Sequence, residues 1–319
     1  MPPNEMMKAV IMTTYGNPNC MEISEVEIPM IGDNEILVRV MGSSVNPVDW
    51  KVRRGDVKFM SGSKLPRRLG ADYSGIVERT GKQVTCVKAG DEVFGMKRAF
   101  IGDAYAEFIK VTEDQIALKP VNLSFIEAAV MPLVGLTIYQ LFFQITKLSA
   151  NSKVMINGCS GGIGHIAVQV AKSLNCEVIG VCSTKNFPYA RSIGVDHVID
   201  YNQEDILACE CAYDLFFDAV ANVSFKQAKH TLKPNGQYVS SIPSFQNMIV
   251  APIFNLVSSK KNKNVWVKSD ADNLRALCKL IENGKVRPTI EKIYPIEAIA
   301  NAHRHSETGK VVGKIALSL

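Results

Sequence analysis

Residues 153–172 (KVMINGCSGGIGHIAVQVAK) constrain this chain more than any other stretch. An apolar run at 154–157 enters a turn containing Gly158, Gly161, Gly162 and Gly164. Apolar residues then recur at helical spacing over 163–174. A buried-type strand that turns through glycines into an amphipathic helix belongs in a parallel sheet covered by helices. The turn also has a chemistry. Glycines let backbone N–H groups approach a pyrophosphate, and the helix N-terminus stabilises its negative charge. The spacing is GxxGxxG rather than GxGxxG. Glycine triplets are common in turns, so the strand before and the helix after give this one its meaning.

The pattern downstream repeats strand and helix. Strands are predicted at 177–182, 197–200, 215–220, 237–241 and 265–268, and helices at 188–193, 225–232 and 272–283. Upstream the texture differs. Short strands at 7–12, 35–40, 74–79 and 92–95 are separated by glycine turns, the texture of a compact β-rich domain. Ser124 followed by Glu127 predicts a helix start, and Pro132 divides the apolar run that follows into two helices. Strands at 290–294 and 311–317 are expected to rejoin the N-terminal domain. The fold class is therefore α/β, with a doubly wound parallel sheet inserted into a β-rich domain. The expected boundaries are 1–124 with 266–319 for the β-rich domain and 125–265 for the sheet.

A length of 319 residues suits two domains, and 47% apolar with 21% charged residues suits a folded protein. The net charge of +5 is too small to mark a nucleic-acid binder, and aromatics at 8% are not interleaved with the basic clusters. Those clusters are Lys51, Arg53, Arg54, Lys58, Lys64, Arg67, Arg68 and, separately, Lys260, Lys261, Lys263. Each reads as a solvated face. For the first, the sharper alternative is the mouth of an anionic-cofactor site. The apolar run 248–257, with Phe245, falls short of the roughly 20 residues that span a bilayer. It reads as core or dimer packing, or as a substrate wall. Peripheral membrane contact beside the second cluster is a weaker idea. No signal peptide is expected, because residues 1–8 lack an apolar core. Eight cysteines without a CxxC then imply free thiols in the cytoplasm. If 209–211 is extended, Cys209 and Cys211 share a face.

The second strand ends in Ser183, Thr184 and Lys185, with no carboxylate. A carboxylate there would bind the ribose hydroxyl of NAD. Two hydroxyls and an ammonium bind a 2′-phosphate instead, and Tyr201 at the third strand's end adds a phenolic donor. NADPH is the expected cofactor.

With these residues in view, the chain resembles the medium-chain dehydrogenase/reductase superfamily, in the branch of zeta-crystallin-type and chloroplast-envelope-type quinone oxidoreductases. The resemblance runs from about Met7 to the C-terminus. It rests on the ordered stretches VNPVDWK at 45–51, GADYSG at 70–75, GDEVFG at 90–95, PLVGLTIY at 132–139, the glycine turn, and GKVVGK at 309–314. It implies a GroES-like catalytic domain, a Rossmann domain with the cofactor in the cleft between them, and a homodimer. It further implies that Ser160, Gly161, Gly162 and Ile163 hold the pyrophosphate. Ser183, Lys185 and Tyr201 would contact the 2′-phosphate, with Thr137 near the nicotinamide and Lys314 near the cofactor. Zinc alcohol dehydrogenases of the superfamily carry Cys where Asn46 stands and His where Ala71 stands, so no metal is expected. Cys159, where relatives often have Ala, is a small filler or else a reactive thiol at a helix N-terminus.

Without a Lewis acid to lower an alcohol's pKa, an already electrophilic acceptor suits the chain better. The expected reaction is hydride transfer to a quinone or an enone. Asn46 and Tyr73 are candidate donors to the acceptor carbonyl. Asp49 and Lys51 are a candidate proton relay, although Asp49 also reads as an ion-pair partner of Lys51, Arg53 or Arg54. The alternative reading is an NADPH-binding protein with a non-catalytic interaction or RNA-binding role.

Overall fold

The computed structural model describes residues 5–242, 251, 254–256 and 258–319. It divides into two units, and each is described by itself. The first comprises Met1–Leu136, Lys268–Asn283 and Pro288–Leu319, and the second Thr137–Val267 and Gly284–Arg287.

The second unit carries the parallel sheet. Its six strands lie in the order His197–Asp200, Glu177–Cys182, Lys153–Asn157, Tyr213–Asp218, Leu232–Ser240, Lys261–Asn264, and every pairing is parallel. In chain order this is 3-2-1-4-5-6, the doubly wound arrangement whose ligands bind beyond the strand ends where the order reverses. The reversal lies between Lys153–Asn157 and Tyr213–Asp218. Val154, Met155, Ile156, Leu215, Phe216 and Phe217 are all fully buried. Strands covered on both faces read as continuous apolar runs, which is why the sequence revealed them.

Two predicted elements shift. The last strand is Lys261–Asn264, not 265–268. Its two lysines are satisfied at the sheet edge: Lys263 Nζ donates to Ile145 O at 2.6 Å and to Gln237 Oε1 at 2.7 Å, and Lys261 Nζ to two carbonyls. Those bonds also turn the amines of Lys261 and Lys263 inward, which removes the basis for a membrane-facing cluster. The helix expected over 225–232 stops at Ala228. A single 3-10 turn follows, and Leu232 already begins the next strand. The run 248–257, with Phe245, lies largely outside the described residues.

In the first unit a seven-stranded sheet runs Ile290–Pro295, Lys314–Ser318, Glu35–Val45, Asp72–Thr80, Glu92–Met96, Ile116–Leu118, with Phe108–Thr112 also paired to Glu35–Val45. The C-terminal strand therefore does join the N-terminal sheet. Strand Glu35–Val45 continues five residues past its expected end at 40, through buried Ser43 and Ser44. Hydroxyls are tolerated there because both donate to Asp72: Ser43 Oγ to its carbonyl at 2.6 Å and Ser44 Oγ to its carboxylate at 2.7 Å. The helix Pro47–Arg54 follows directly, started by Asn46.

Ser124 caps the helix Phe125–Ala129 as its sequence predicts. Its Oγ accepts from the Glu127 N–H at 3.2 Å, and the Glu127 carboxylate accepts from the Ser124 N–H at 2.9 Å. Ser124→Ala is expected to cost about 1 kcal/mol of stability. An unchanged urea midpoint would show that this cap contributes nothing.

Candidate functional site

The glycine turn of the second unit is tied down at its entrance. Gly158 N and Cys159 N both donate to Val181 O at 3.0 Å, drawing the turn onto the neighbouring strand. Gly158 has φ +82°, and a Cβ there would meet Val220 at 2.6 Å. At Gly164 a Cβ would lie 2.0 Å from Gly158 O, so only glycine lets the helix Gly164–Ser173 start so close to the strand. Beyond Gly158 the amides of Ser160, Gly162 and Ile163 donate to no acceptor among the described residues. Ser160 Oγ accepts from Asn186 Nδ2 at 3.1 Å. Unused amides at a helix start, with no side chain in the way, fit the pyrophosphate of a dinucleotide.

Cys159 is fully buried against Gly180. A hydrogen bond with Cys182 and burial together push its thiol pKa far up. It is a filler, and the reactive-thiol alternative fails. Cys209 and Cys211 are exposed, and Cys211 takes φ +47°, so the segment is not extended.

The strand ends bring a residue that the sequence reading missed. Asp200, the last residue of strand His197–Asp200, is buried beside Thr184. Its carboxylate accepts from Thr184 Oγ1 and N–H, from Asn202 N–H and Nδ2 at 2.9 Å each, and from Gln203 Nε2 at 3.3 Å. The Thr184 hydroxyl bond, then those from Asn202, hold it below the usual carboxylate range. The Thr184 hydroxyl is thus committed to Asp200 and is withdrawn as a phosphate donor. Ser183 is half-buried, Lys185 is exposed with no ion pair among the described residues, and Tyr201 is 58% exposed. These three have groups to offer a ligand.

A second polar cluster is buried in the first unit. Asn46 sits at its centre. Its Nδ2 donates to Asp72 Oδ2 at 2.9 Å and to Ser44 Oγ at 3.2 Å, and its Oδ1 accepts from Lys314 Nζ. Asp72 also accepts the Leu133 N–H at 2.7 Å, and Lys314 Nζ lies 3.9 Å from its Oδ2. Asp49 accepts the Asn46 N–H at 2.7 Å and the Tyr105 hydroxyl at 3.1 Å. All six side chains are buried. Burial raises the pKa of Asp72 and lowers that of Lys314. Burial pushes Asp49 up to about 7, assisted by the charge of Asp72 and opposed by the Asn46 N–H.

The sequence-predicted roles change accordingly. Both amide hydrogens of Asn46 are engaged, so it is not an available donor to a carbonyl. Tyr73 lies in the hydrophobic core with Val38, Val93 and Ile109, and its hydroxyl donates to Gln115 O at 2.9 Å. It is a core residue. Asp49 pairs with neither Lys51, Arg53 nor Arg54. The Lys51 ammonium lies 5.6 Å from the Trp50 ring centroid, and Arg53 is buried against Glu307. Thr137 is buried in the helix Pro132–Gln140. Ser44, Asp72 and Tyr105 escaped the sequence reading, although Asp72 lay within the stretch 70–75. Among the described residues no three His, Cys, Asp or Glu side chains form a metal-binding group. No described helix is long and apolar enough to cross a membrane.

Tyr73→Phe is expected to lower stability by about 1 kcal/mol through the lost bond to Gln115, with turnover unchanged. Turnover reduced in step with no loss of stability would restore it to the site. Asp49 keeps its proton up to about pH 7 when folded but only to about pH 4 when unfolded. The stability this provides is full below about pH 4 and is lost as the pH rises to about 7. In Asp49→Asn, urea midpoints over that range should fall less steeply than in the parent. Parallel profiles would mean that Asp49 does not titrate there.

Three comparisons bear on the site. A model of the alcohol dehydrogenase GroES-like domain matches residues 32–121, and a zinc-binding dehydrogenase model matches residues 193–317. The chain is 29% identical to the chloroplast envelope quinone oxidoreductase homolog of Arabidopsis thaliana, over 98% of each chain. It is 31% identical to the chloroplastic NADPH-dependent alkenal/one oxidoreductase of the same plant, over 98% of this chain and 79% of that one. The structure of the quinone oxidoreductase from Coxiella burnetii superposes with a TM-score of 0.91 at 30% identity, covering 99% of this chain and 100% of the other.

Proposed function

The chain belongs to the medium-chain dehydrogenase/reductase superfamily, in its quinone oxidoreductase branch, and on that premise we propose that it is a zinc-independent, NADPH-dependent enzyme reducing quinones or α,β-unsaturated carbonyls. The observation that carries this reading is the glycine turn, with unused amides at Ser160, Gly162 and Ile163, at the strand ends of a 3-2-1-4-5-6 sheet. Ser160, Gly161, Gly162 and Ile163 hold the pyrophosphate, and Gly158 and Gly164 shape the turn. Ser183, Lys185 and Tyr201 take the 2′-phosphate, and Thr137 contacts the nicotinamide. The bound nicotinamide supplies a hydride, and the protein orients the acceptor and stabilises charge on its oxygen.

Zinc independence is supported by Asn46 and Ala71, an engaged amide and a methyl where the zinc enzymes carry Cys and His. The quinone and enone acceptors are supported by the names of the relatives. A homodimer is supported by the resemblance to this branch. Eight free thiols suit the reducing cytoplasm.

The test is NADPH oxidation by the purified protein against 9,10-phenanthrenequinone, a 1,4-naphthoquinone, an alkenal and an aldehyde, each repeated with NADH. Turnover of a quinone or the alkenal, with KM for NADPH well below that for NADH, is expected. Lys185→Ala should raise KM for NADPH about tenfold, the worth of one charge-assisted contact, and leave NADH unaffected. Equal Michaelis constants for the two cofactors would defeat the NADPH assignment. Tight NADPH binding with no turnover of any acceptor would favour a non-catalytic binding protein.

A further inference from the structure

Next to Ser183, Lys185 and Tyr201 in the second unit lies a buried carboxylate, Asp200. A carboxylate at a strand end beside the adenosine ribose is what an NAD site uses to accept the 2′-hydroxyl. Asp200 has no capacity for that bond. Two carboxylate oxygens offer about four lone-pair sites. Oδ1 accepts from the N–H and the Nδ2 of Asn202, and Oδ2 from the N–H and the hydroxyl of Thr184 and from Gln203 Nε2. These donors already fill both oxygens, so the carboxylate must act on the protein rather than on a ligand.

The donors come from two loops. Thr184 opens the 3-10 turn Thr184–Asn186, and Asn202 and Gln203 follow strand His197–Asp200. Lys185 stands between two anchored residues. Thr184 is held by Asp200, and Asn186 Nδ2 donates to Ser160 Oγ at 3.1 Å. Tyr201 stands between Asp200 itself and Asn202, whose two donors reach Asp200 Oδ1 at 2.9 Å each. The Asp200 carbonyl accepts from the N–H groups of Gln203 and Glu204 as well. One side chain thus fixes the backbone on one side of Lys185 and on both sides of Tyr201. A long exposed side chain loses less freedom on binding when its backbone is already set.

We infer that Asp200 is a positioning residue for NADPH, the group that sets the spacing of Lys185 and Tyr201 and so lets the site prefer a 2′-phosphate to a 2′-hydroxyl. This rests on the NADPH reading above. The carboxylate has two effects of opposite sign on such a phosphate. Its charge repels the phosphate, and its bonds hold the groups that bind it. The Thr184 hydroxyl, then Asn202, keep it below the usual carboxylate range, so the charge is present at neutral pH. Donor dipoles aimed at the carboxylate and water around the phosphate weaken the repulsion. Positioning is the larger effect.

Asp200→Asn separates the two, because it removes the charge and puts an amide NH2 in place of one oxygen. Whichever way that amide turns, its N–H groups meet the donors of Asn202 or those of Thr184 and Gln203. The measurement is the Kd of the purified full chain for NADPH and for NADH, read by nicotinamide fluorescence. In Asp200→Asn the NADPH value should rise about tenfold and the NADH value stay within about twofold. Thr184→Val, which loses only the hydroxyl tie, should show a selective rise of about threefold, and Thr184→Ser, which keeps it, should match the parent.

An NADPH Kd unchanged or lowered in Asp200→Asn overturns the inference, because charge then outweighs position. An equal loss for both cofactors overturns it too, since damage to the unit as a whole would produce that. If Asp200→Asn does not fold, Thr184→Val decides: a selective rise supports the inference, and a parent-like value or an equal loss overturns it. A parent that binds NADPH no more tightly than NADH defeats the NADPH reading and this inference together. A parent preference for NADPH that persists undiminished in both variants defeats the inference alone.

Discussion

The arrangement of the first unit depends on one buried carboxylate, that of Asp72. A buried carboxylate is tolerated only when its oxygens are hydrogen-bonded and its charge is answered nearby. Asp72 meets both conditions by collecting partners from four places: Ser44 on one strand, Asn46 at a helix start, Leu133 on a distant helix, and Lys314 on the C-terminal strand. Removing that carboxylate would take an acceptor from three donors and the nearest carboxylate from a cation at once. The return of the chain's last residues to the N-terminal sheet follows from the same requirement, since Lys314 must reach this pocket of negative charge. Burial and hydrogen bonding act in opposite directions on the cluster. Asp49 is the member left close to neutrality, because it receives two donors where Asp72 receives three and an ammonium nearby.

The second unit rests on a different constraint, the close approach of backbone to backbone. Val181 O binds two successive amides of the turn, and Gly164 touches Gly158 O at a distance no side chain allows. Packing the helix that tightly leaves the amides of Ser160, Gly162 and Ile163 facing no acceptor among the described residues, the condition that an anion at such a turn requires. Cys159 under Gly180 belongs to the same packing. Its thiol fills the space that a side chain at position 180 would take.

How much of this was legible in the sequence follows from the kind of interaction involved. Apolar burial on both faces leaves a continuous run, so strands such as Lys153–Asn157 and Tyr213–Asp218 could be read directly. Local hydrogen bonds leave a spaced signature, so the Ser124–Glu127 cap could be read as well. Edge elements gave little. Strand Met21–Glu27 buries only Met21 fully, and helix Ile299–Glu307 buries only Ile299, Ala302 and His303, so neither has a strong period. Strand Lys261–Asn264 is wholly polar, and the apolar stretch after it took its place in the reading. The buried cluster was hardest of all. Asn46, Asp49 and Lys314 could be picked out, but their partners lie up to 268 residues apart, and only the fold shows which donor faces which acceptor. Tyr73 was misread for the same reason. A tyrosine near a site and a tyrosine in a core look alike until the hydroxyl's partner is seen.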